Sequence, residues 1–399
     1  MARKKKYQRI DPIDATLDIE EMTFMGEGLA RWNGDAVFVA GTIPGERVDA
    51  TIWRKHERFF EADLNEVIVP SPHRVTPPCP YVGACTGCQW QHIEYSHQLE
   101  IKTKLVADQM RRVGGFDDPP VAPAIGCDDP WGYRNHARFT VGPSGQLGFV
   151  NRTRRRFVRI DRCLIMNDGI NETLTQLQDK CHETTQVSVR YGPESHQRLV
   201  QPTFKSPKVA METGQTHYTE ELLGRRFRIA SPSFFQVNIR QAERLVELVR
   251  ERLELSGSET LVDAYAGVGT FAVLLAADAK QVFAIEESAS AIEDARVNIE
   301  GLSNVTLIEA RTEQALAQLP ERPDAVILDP PRVGCHVEAL DALIALGARR
   351  VVYVSCDPAS LAHDLKHLCA EAYALEEIQP IDMFPHTHHI ECVATLRKR

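Results

Sequence analysis

Short runs of apolar residues recur along the chain from about residue 225, and stretches of helical periodicity separate them. Runs of this length, flanked by turn-forming residues, are typical of strands that are buried on both faces. The predicted strands cover residues 260–264, 281–285, 305–308, 325–328, 351–354 and 392–396. Because strands that alternate with helices at this spacing form a parallel sheet covered by helices, residues 225–399 are predicted to form an α/β domain.

The beginning of the chain has a different, strand-like pattern. Apolar and polar residues alternate at 36–40, 48–53 and 66–69, and turns that contain Gly or Pro separate these segments. This pattern predicts a small β-barrel over residues 1–70. Barrels of this kind often bind single-stranded nucleic acid, although they also serve as spacers between domains.

The middle of the chain combines both patterns. Residues 93–113 have helical periodicity, and residues 138–150 contain two apolar runs around a Gly-Pro-Ser-Gly turn, which predicts a hairpin. Residues 168–224 give few signals of either kind. We therefore expect a mixed α+β domain over residues 71–224.

Composition limits the possible environments and partners of the protein. The chain has 399 residues, a formal net charge of -9 and a pI near 5.9. It contains neither an apolar stretch long enough to span a membrane nor a secretion signal, so a cytoplasmic location without membrane contact is expected. Such a low pI argues against a nucleic-acid partner, but basic clusters at residues 3–9 and 152–162 could still bind phosphate locally.

A glycine-containing turn marks the candidate ligand site of the α/β domain. The segment from Asp263 to Phe271 lies where the first predicted strand passes into a helix, and glycines at 267 and 269 allow the backbone to approach a ligand. Glu286 ends the next predicted strand, where a carboxylate can accept hydrogen bonds from a ribose. The pattern favours a nucleoside ligand without a pyrophosphate, and an ordinary strand-to-helix turn is the alternative.

Ten cysteines are expected to stay reduced in the cytoplasm, so a tight group of them suggests a metal site. Cys79, Cys85 and Cys88 lie in a loop rich in Pro and Gly, and Cys163 could supply a fourth thiolate. Four thiolates suit zinc or an iron-sulfur cluster, and the spacing does not separate the two. The isolated cysteines are predicted to be packing residues: Cys127, Cys181, Cys335 and Cys369.

Cys356 is a candidate nucleophile. It follows the predicted strand that ends at Ser355, and a helix is expected to begin near Pro358. The start of a helix lowers the pKa of a thiol and favours the reactive thiolate. Without further context, a single cysteine in this place could equally be a small buried apolar residue.

Three motifs give the α/β domain a resemblance to a known family. They are Asp-Pro-Pro-Arg-x-Gly at 329–334, Ser-Cys-Asp-Pro at 355–358 and the segment 383–391, which ends in His-His-Ile-Glu. Together with the glycine turn, they resemble the RNA uracil-5-methyltransferases, which use S-adenosylmethionine. The resemblance implies a Rossmann-like class I methyltransferase domain at 225–399, an N-terminal TRAM or OB-like barrel at 1–70 that binds RNA, and a 4Fe-4S cluster in the central domain.

The same resemblance implies roles for individual residues. Cys356 would add to C6 of a uracil, and Glu391 would act as the base that removes the C5 proton. Cofactor contacts are expected from Gln236, Tyr265, Glu286 and Asp329. The 4Fe-4S ligands would be Cys79, Cys85, Cys88 and Cys163.

The resemblance also implies a substrate and an oligomeric state. The expected substrate is a uridine of 23S rRNA, and the chain is expected to act as a monomer. The alternatives are a tRNA uridine methyltransferase, an RNA cytosine C5-methyltransferase, or a non-catalytic RNA-binding iron-sulfur protein.

Overall fold

The computed structural model describes residues 7–399, so the basic segment at 3–6 lies outside the described residues. The chain divides into two compact units. Unit 1 comprises residues 1–105, 151–155 and 386–388, and unit 2 comprises the remainder. The division into segments 1–70, 71–224 and 225–399 stays a prediction.

Unit 1 is built on a six-stranded sheet. Its strands are β1 (Tyr7–Asp18), β2 (Glu21–Met22), β3 (Gly28–Trp32), β4 (Asp35–Val39), β5 (Arg47–His56) and β6 (Phe59–Val69). The strand order is β1-β5-β6-β4-β3-β2, and all neighbours are antiparallel except β4 and β6. Alternate residues of β4 and β5 point into one core, in which Val37, Val48, Ala50 and Ile52 are fully buried. The N-terminal region is therefore β-rich, as predicted.

Helix α1 (Tyr95–Gln109) forms where the helical periodicity was found. Trp90, Ile101 and Leu105 belong to one buried apolar cluster of unit 1. The last turn of the helix widens at Met110–Gly114, and Gly115, with φ 73°, ends it in a left-handed conformation.

Unit 2 contains a second, antiparallel sheet. Its five strands are β7 (His136–Val141), β8 (Leu147–Val150), β9 (Phe157–Arg159), β10 (Gln186–Tyr191) and β11 (Arg198–Gln201), in the order β11-β10-β7-β8-β9. Helix α2 (Asp168–Leu177) follows β9 and is capped by Asn167, whose side chain accepts the Ile170 N–H. Strands β12 (His217–Leu222) and β13 (Arg225–Ala230) form a separate hairpin.

A seven-stranded sheet with helices dominates unit 2. Its elements are α3 (Ile239–Leu253), β14 (Thr260–Ala264), α4 (Thr270–Leu275), β15 (Gln281–Glu286), α5 (Ala289–Asn298), β16 (Val305–Glu309), α6 (Thr312–Leu316), β17 (Ala325–Leu328), α7 (Val337–Leu346), β18 (Arg350–Ser355), α8 (Pro358–Glu371), β19 (Tyr373–Ile381) and β20 (Glu391–Lys398). The strand order is β16-β15-β14-β17-β18-β20-β19. The first five strands are parallel, and β20 is antiparallel to both of its neighbours. This is the predicted Rossmann-like α/β fold.

Each face of this sheet has its own apolar core, which explains the unbroken apolar runs. Leu261 and Ile327 belong to the core on one face, whereas Val262 and Val326 belong to the core on the other. Full burial of a side chain of this size contributes about 1.5–3 kcal/mol. Within the described part of the chain, no helix is both long enough and apolar enough to cross a membrane.

Candidate active site

A cavity of about 890 Å³ opens at the carboxyl edge of the parallel strands in unit 2. In open α/β sheets, ligands bind at this edge because the loops that follow the strands converge there. Six of the residues singled out in the sequence lie on its wall: Gln236, Tyr265, Glu286, Asp329, Cys356 and Glu391. The fold therefore brings together the residues expected to bind the cofactor and those expected to act on the substrate.

The glycine turn after β14 forms one wall of the cavity. Gly267 and Gly269 have φ values of 57° and 86°, a region that disfavours residues with a Cβ. Asp263, which is fully buried, accepts the Ala272 N–H at 2.8 Å and so joins the end of β14 to the first turn of α4. Burial, together with the nearby Asp329 and Glu286, raises the pKa of Asp263 to about 7.

Glu286 braces this turn from the end of β15. Its Oε2 accepts the Gly267 N–H at 2.8 Å, and its Oε1 accepts the Ser288 N–H at 2.7 Å. The carboxylate is therefore held in one orientation at the wall of the cavity. It is placed to accept hydrogen bonds from ligand hydroxyls while it keeps the glycine turn in position.

Asp329 begins the turn after β17. Its N–H donates to the Ala264 carbonyl at 3.3 Å, and Pro330 and Pro331 then restrict the backbone. Burial raises the pKa of Asp329 to about 7. A carboxyl group with such a pKa can accept or donate a proton near neutral pH.

Cys356 lies between the end of β18 and the start of α8. Asp357 caps this helix, because its Oδ1 accepts the N–H groups of Ala359 and Ser360, both at 3.1 Å. The Arg332 Nε donates to the Asp357 Oδ2 at 3.2 Å. The cap carboxylate and this arginine are thus fixed beside the candidate nucleophile.

The structure corrects the expectation that the start of α8 keeps Cys356 as a thiolate. Burial is the largest effect and raises the pKa of this thiol to about 12, and Glu391 and Asp329 add to the rise. Arg332 lowers the pKa, but its effect is smaller than theirs. Burial therefore favours the thiol form of Cys356, and a nucleophilic role would require this proton to leave.

Glu391 lies beside Cys356 because of strand register. Ser355 of β18 pairs with Cys392 of β20, and the two strands are antiparallel, so the residue after Ser355 faces the residue before Cys392. Glu391 is buried, and burial followed by the nearby Asp329 raises its pKa well above the ordinary value. A carboxylate in such surroundings is a stronger base than an exposed one.

Some residues of the cavity wall were missed in the sequence. Cys335 packs against one apolar core of the sheet, as predicted, and it also lines the cavity, where its thiol donates to the Tyr353 hydroxyl at 3.5 Å. Phe234 and Val333 also line the cavity and are 71% and 85% exposed. Both residues could have been predicted to line the cavity, because Phe234 lies in the Ser-Phe-Phe-Gln segment and Val333 directly follows the Asp-Pro-Pro-Arg segment.

The cysteines predicted to bind a cluster are distributed over both units. Cys79, Cys85 and Cys88 belong to unit 1, and Cys163 belongs to unit 2. The Cys85 N–H donates to the Tyr81 carbonyl at 2.6 Å, and burial raises the pKa of the Cys85 thiol. Within residues 7–399, no group of three or more His, Cys, Asp or Glu side chains is arranged to hold a metal ion. The structure therefore gives the cluster no support, and the cluster stays a prediction.

Several of the arginines at 152–162 already pair with carboxylates. Within unit 1, Arg154 lies 3.0 Å from Asp63. Within unit 2, Arg159 lies 2.7 Å from Asp179. Exposed ion pairs of this kind contribute about 0–1 kcal/mol, so a phosphate could displace these carboxylates.

Comparison with known proteins assigns the family. A sequence profile described as tRNA (Uracil-5-)-methyltransferase matches residues 203–399. A protein of Gloeobacter violaceus described as an uncharacterised RNA methyltransferase is 34% identical over 96% of this chain and 96% of its own length. The chain belongs to the RNA uracil-5-methyltransferase family. A second relative, from Caldanaerobacter subterraneus, is also described as an uncharacterised RNA methyltransferase and is 33% identical over 96% of this chain and 97% of its own length.

A solved structure of the uracil-5-methyltransferase family has the same fold. The Pyrococcus abyssi tRNA (uracil-54, C5)-methyltransferase, in complex with S-adenosyl-L-homocysteine, superposes with a TM-score of 0.77 and 26% sequence identity. The superposition covers 96% of this chain and 99% of that protein. The present chain is accordingly an RNA methyltransferase with a Rossmann-like catalytic domain.

Proposed function

We propose that this RNA methyltransferase transfers a methyl group from S-adenosylmethionine to C5 of a uridine, through a transient bond between the Cys356 sulfur and C6 of the base. The observation that carries the proposal is that all the residues it needs line one cavity. Cys356, Glu391 and Asp329 line it together with the glycine turn braced by Glu286. The residues proposed as nucleophile, base and cofactor site thus line the same cavity.

The cavity suits the methyl donor. Its volume of about 890 Å³ leaves room for both a nucleoside cofactor and a uracil. A Cβ at Gly267 would meet no atom within 4 Å, so there is open space beside the backbone of the turn. Gln236, Tyr265, Glu286 and Asp329 would hold S-adenosylmethionine, which supplies an electrophilic methyl group when bound.

The chemistry of uracil explains why both Cys356 and Glu391 are needed. C5 of uracil is a weak nucleophile, and addition of the Cys356 sulfur at C6 raises the electron density on C5. After methylation, C5 carries one proton too many. Glu391 removes this proton, the C5–C6 double bond forms again and the sulfur leaves. The thiol proton passes to Asp329, whose pKa is about 7, as the sulfur attacks, and it returns to the sulfur as the sulfur leaves; Glu391 stays unprotonated until it accepts the C5 proton, which it then releases to solvent.

Unit 1 offers a surface that suits single-stranded RNA. The Arg54 guanidinium lies 4.4 Å from the ring centre of Tyr7 and 4.1 Å from that of Trp53. The rings of His56 and Phe59 stack with centroids 4.1 Å apart. Tyr7 is exposed and the other three rings are half-buried, while Arg54 and His56 also pair with Glu61. Because aromatic side chains can stack on bases of any sequence, this group supports an RNA-binding role for the predicted N-terminal TRAM-like barrel.

We propose 23S rRNA as the substrate on the basis of the sequence resemblance. A tRNA uridine is the second candidate, because the Pyrococcus abyssi neighbour is a tRNA (uracil-54, C5)-methyltransferase. In either RNA, the target uridine must leave its stack to reach the sulfur of Cys356 in the cavity.

The proposed function predicts one modified nucleoside. We expect the purified protein, incubated with methyl-labelled S-adenosylmethionine and transcripts of 23S rRNA domains or of tRNAs, to produce 5-methyluridine after digestion to nucleosides. Label in one transcript class identifies the substrate. Exclusive recovery of 5-methylcytidine would instead show a cytosine methyltransferase, and the absence of both label and cofactor binding would indicate a non-catalytic RNA-binding protein.

The proposed cofactor site predicts the behaviour of a Glu286 variant. We expect Glu286→Ala to weaken S-adenosylmethionine binding by about tenfold or more, because a charged hydrogen bond contributes about 1.5–3 kcal/mol and the glycine turn loses its brace. Titration calorimetry measures the effect. Glu293→Ala changes an exposed glutamate of α5 and serves as the control. Equal affinities of the Glu286 variant and the wild type would remove Glu286 from the site.

The remaining proposals concern the cluster and the cellular setting. We propose that Cys79, Cys85, Cys88 and Cys163 bind a 4Fe-4S cluster with a structural or RNA-positioning role, because alkylation of uracil involves no net electron transfer. The methyl transfer described above requires no contribution from the cluster.

We also propose that the protein works as a monomer in the cytoplasm. The absence of disulfides among its ten cysteines supports the cytoplasmic setting.

A further inference from the structure

A buried carboxylate next to the cavity has no part in the chemistry described so far. Asp364 lies in α8 and is only 3% exposed. Its Oδ2 accepts the Cys335 N–H at 2.8 Å and the Tyr353 hydroxyl at 2.6 Å. One oxygen atom therefore joins the end of the Asp329–Cys335 turn to both β18 and α8, the elements on either side of Cys356.

The glycine of the same turn is required by this carboxylate. Gly334 has φ 84°, and a Cβ there would lie 2.7 Å from the Asp364 Oδ2. A larger residue would push the turn and the helix apart. Glycine is therefore needed at position 334 for two reasons: the positive φ of the backbone and the close approach of the Asp364 carboxylate.

Two further contacts attach the turn to the beginning of α8. The Ser360 hydroxyl donates to the Arg332 carbonyl at 2.9 Å, and the Arg332 guanidinium pairs with Asp357 at 3.2 Å. Both contacts are exposed, whereas the bond from Tyr353 to Asp364 is buried and the bond from Cys335 to Asp364 is half-buried. Since hydrogen bonds are stronger in a buried environment, Asp364 is the principal tether.

We propose that Asp364 is a positioning residue that holds the Asp329–Cys335 turn against α8 and so sets the placement of Asp329 relative to Cys356. The turn begins with Asp329, and the helix begins immediately after Cys356. Any movement between turn and helix therefore changes the distance between the carboxyl group and the sulfur. The inference rests on the proposed function in so far as Cys356 and Asp329 serve the methyl transfer.

The chain permits a conservative variant that keeps the tether. In Asp364→Asn, the amide oxygen can take the place of Oδ2 and accept the same two donors. The amide nitrogen then takes the place of Oδ1, which lies 3.3 Å from the His363 Nδ1, a ring nitrogen able to accept a hydrogen bond. Asp364→Ala removes both hydrogen bonds and leaves two buried donors without a partner.

Steady-state kinetics of RNA methylation test the proposal. We expect Asp364→Ala to lower kcat by roughly 30-fold or more, because misplacement by about 1 Å can cost about 100-fold, and to raise KM for S-adenosylmethionine, because the displaced turn carries Asp329 of the proposed cofactor site. Asp364→Asn should stay within about fivefold of the wild type. Tyr353→Phe removes one of the two hydrogen bonds to Asp364, so we expect it to lower kcat by less than Asp364→Ala does. This milder variant also tests the proposal if Asp364→Ala does not fold.

A matched control separates positioning from a general loss of stability. Tyr373 is also fully buried, and its hydroxyl donates to the Leu343 carbonyl at 3.4 Å. Tyr373→Phe thus removes a buried hydroxyl that has no contact with the turn. We expect wild-type kcat in this variant, and a loss equal to that of Tyr353→Phe would overturn the proposal.

Alkylation of Cys356 provides a readout that needs no RNA. We expect iodoacetamide to modify Cys356 at pH 8 about threefold faster or more in Asp364→Ala than in the wild type, because the released turn exposes the thiol. Peptide mass spectrometry resolves this cysteine from the others. Wild-type alkylation and wild-type kcat in folded Asp364→Ala would refute the tether. A wild-type protein that fails to methylate RNA would refute the proposed function, while the alkylation rates would still decide the role of Asp364.

Discussion

Cys356→Ala abolishes methylation of RNA and also abolishes covalent capture by RNA that contains 5-fluorouridine. The expected loss of turnover is at least about 10⁴-fold, because removal of an enzyme nucleophile leaves only binding and electrostatic effects. Fluorine at C5 cannot leave as a proton leaves, so the wild-type protein stops at the covalent stage. Denaturing electrophoresis shows this complex as a slower band.

A second cysteine of the same helix supplies the control for this experiment. Cys369→Ala changes a half-buried thiol near the end of α8, and we expect it to be captured like the wild type. Binding of S-adenosylmethionine should be unchanged in both variants. Turnover retained by Cys356→Ala would exclude the covalent mechanism while leaving the family assignment intact.

Glu391→Gln accumulates a covalent complex with ordinary, unfluorinated RNA. The amide cannot take up the C5 proton, so the sulfur cannot leave after the methyl group has been transferred. Burial and Asp329 raise the pKa of Glu391 well above its usual value, and the glutamine removes this basicity with little change in shape. We expect turnover to fall by about 100-fold or more, with labelled methyl found in a protein-RNA band.

An exposed glutamate gives the comparison for the Glu391 variant. Glu371→Gln lies at the end of α8 and should behave like the wild type. Full turnover in Glu391→Gln would contradict the assigned base. Lost turnover without any covalent band would instead assign Glu391 to removal of the thiol proton, one step earlier.

The parts of the fold that could be predicted are those in which local pattern and burial agree. The strands at 260–264 and 325–328 are buried on both faces, so their apolar runs identified them correctly. β1 was missed because its sequence is largely polar and most of its residues are exposed. β10 and β11, within residues 168–224, were also missed. β11 has only four residues, which is too few for a periodic signal.

The chemistry of the site could be predicted only in part. The motifs placed Cys356 and Glu391 on the cavity wall, but the pKa of Cys356 depends on burial and on carboxylates from other strands. Neither effect can be read from the helix that follows the cysteine. The roles of Cys335 and Asp364 depend on a hydrogen bond between residues 29 positions apart in the chain, which no local pattern reveals.

Strand β20 follows β19 in the chain but lies between β18 and β19 in the sheet. Without residues 391–398, β18 would have an open edge and Cys356 would lack Glu391 as a neighbour. The insertion of residues 391–398 between β18 and β19 thus covers the edge of β18 and at the same time sets Glu391 beside Cys356.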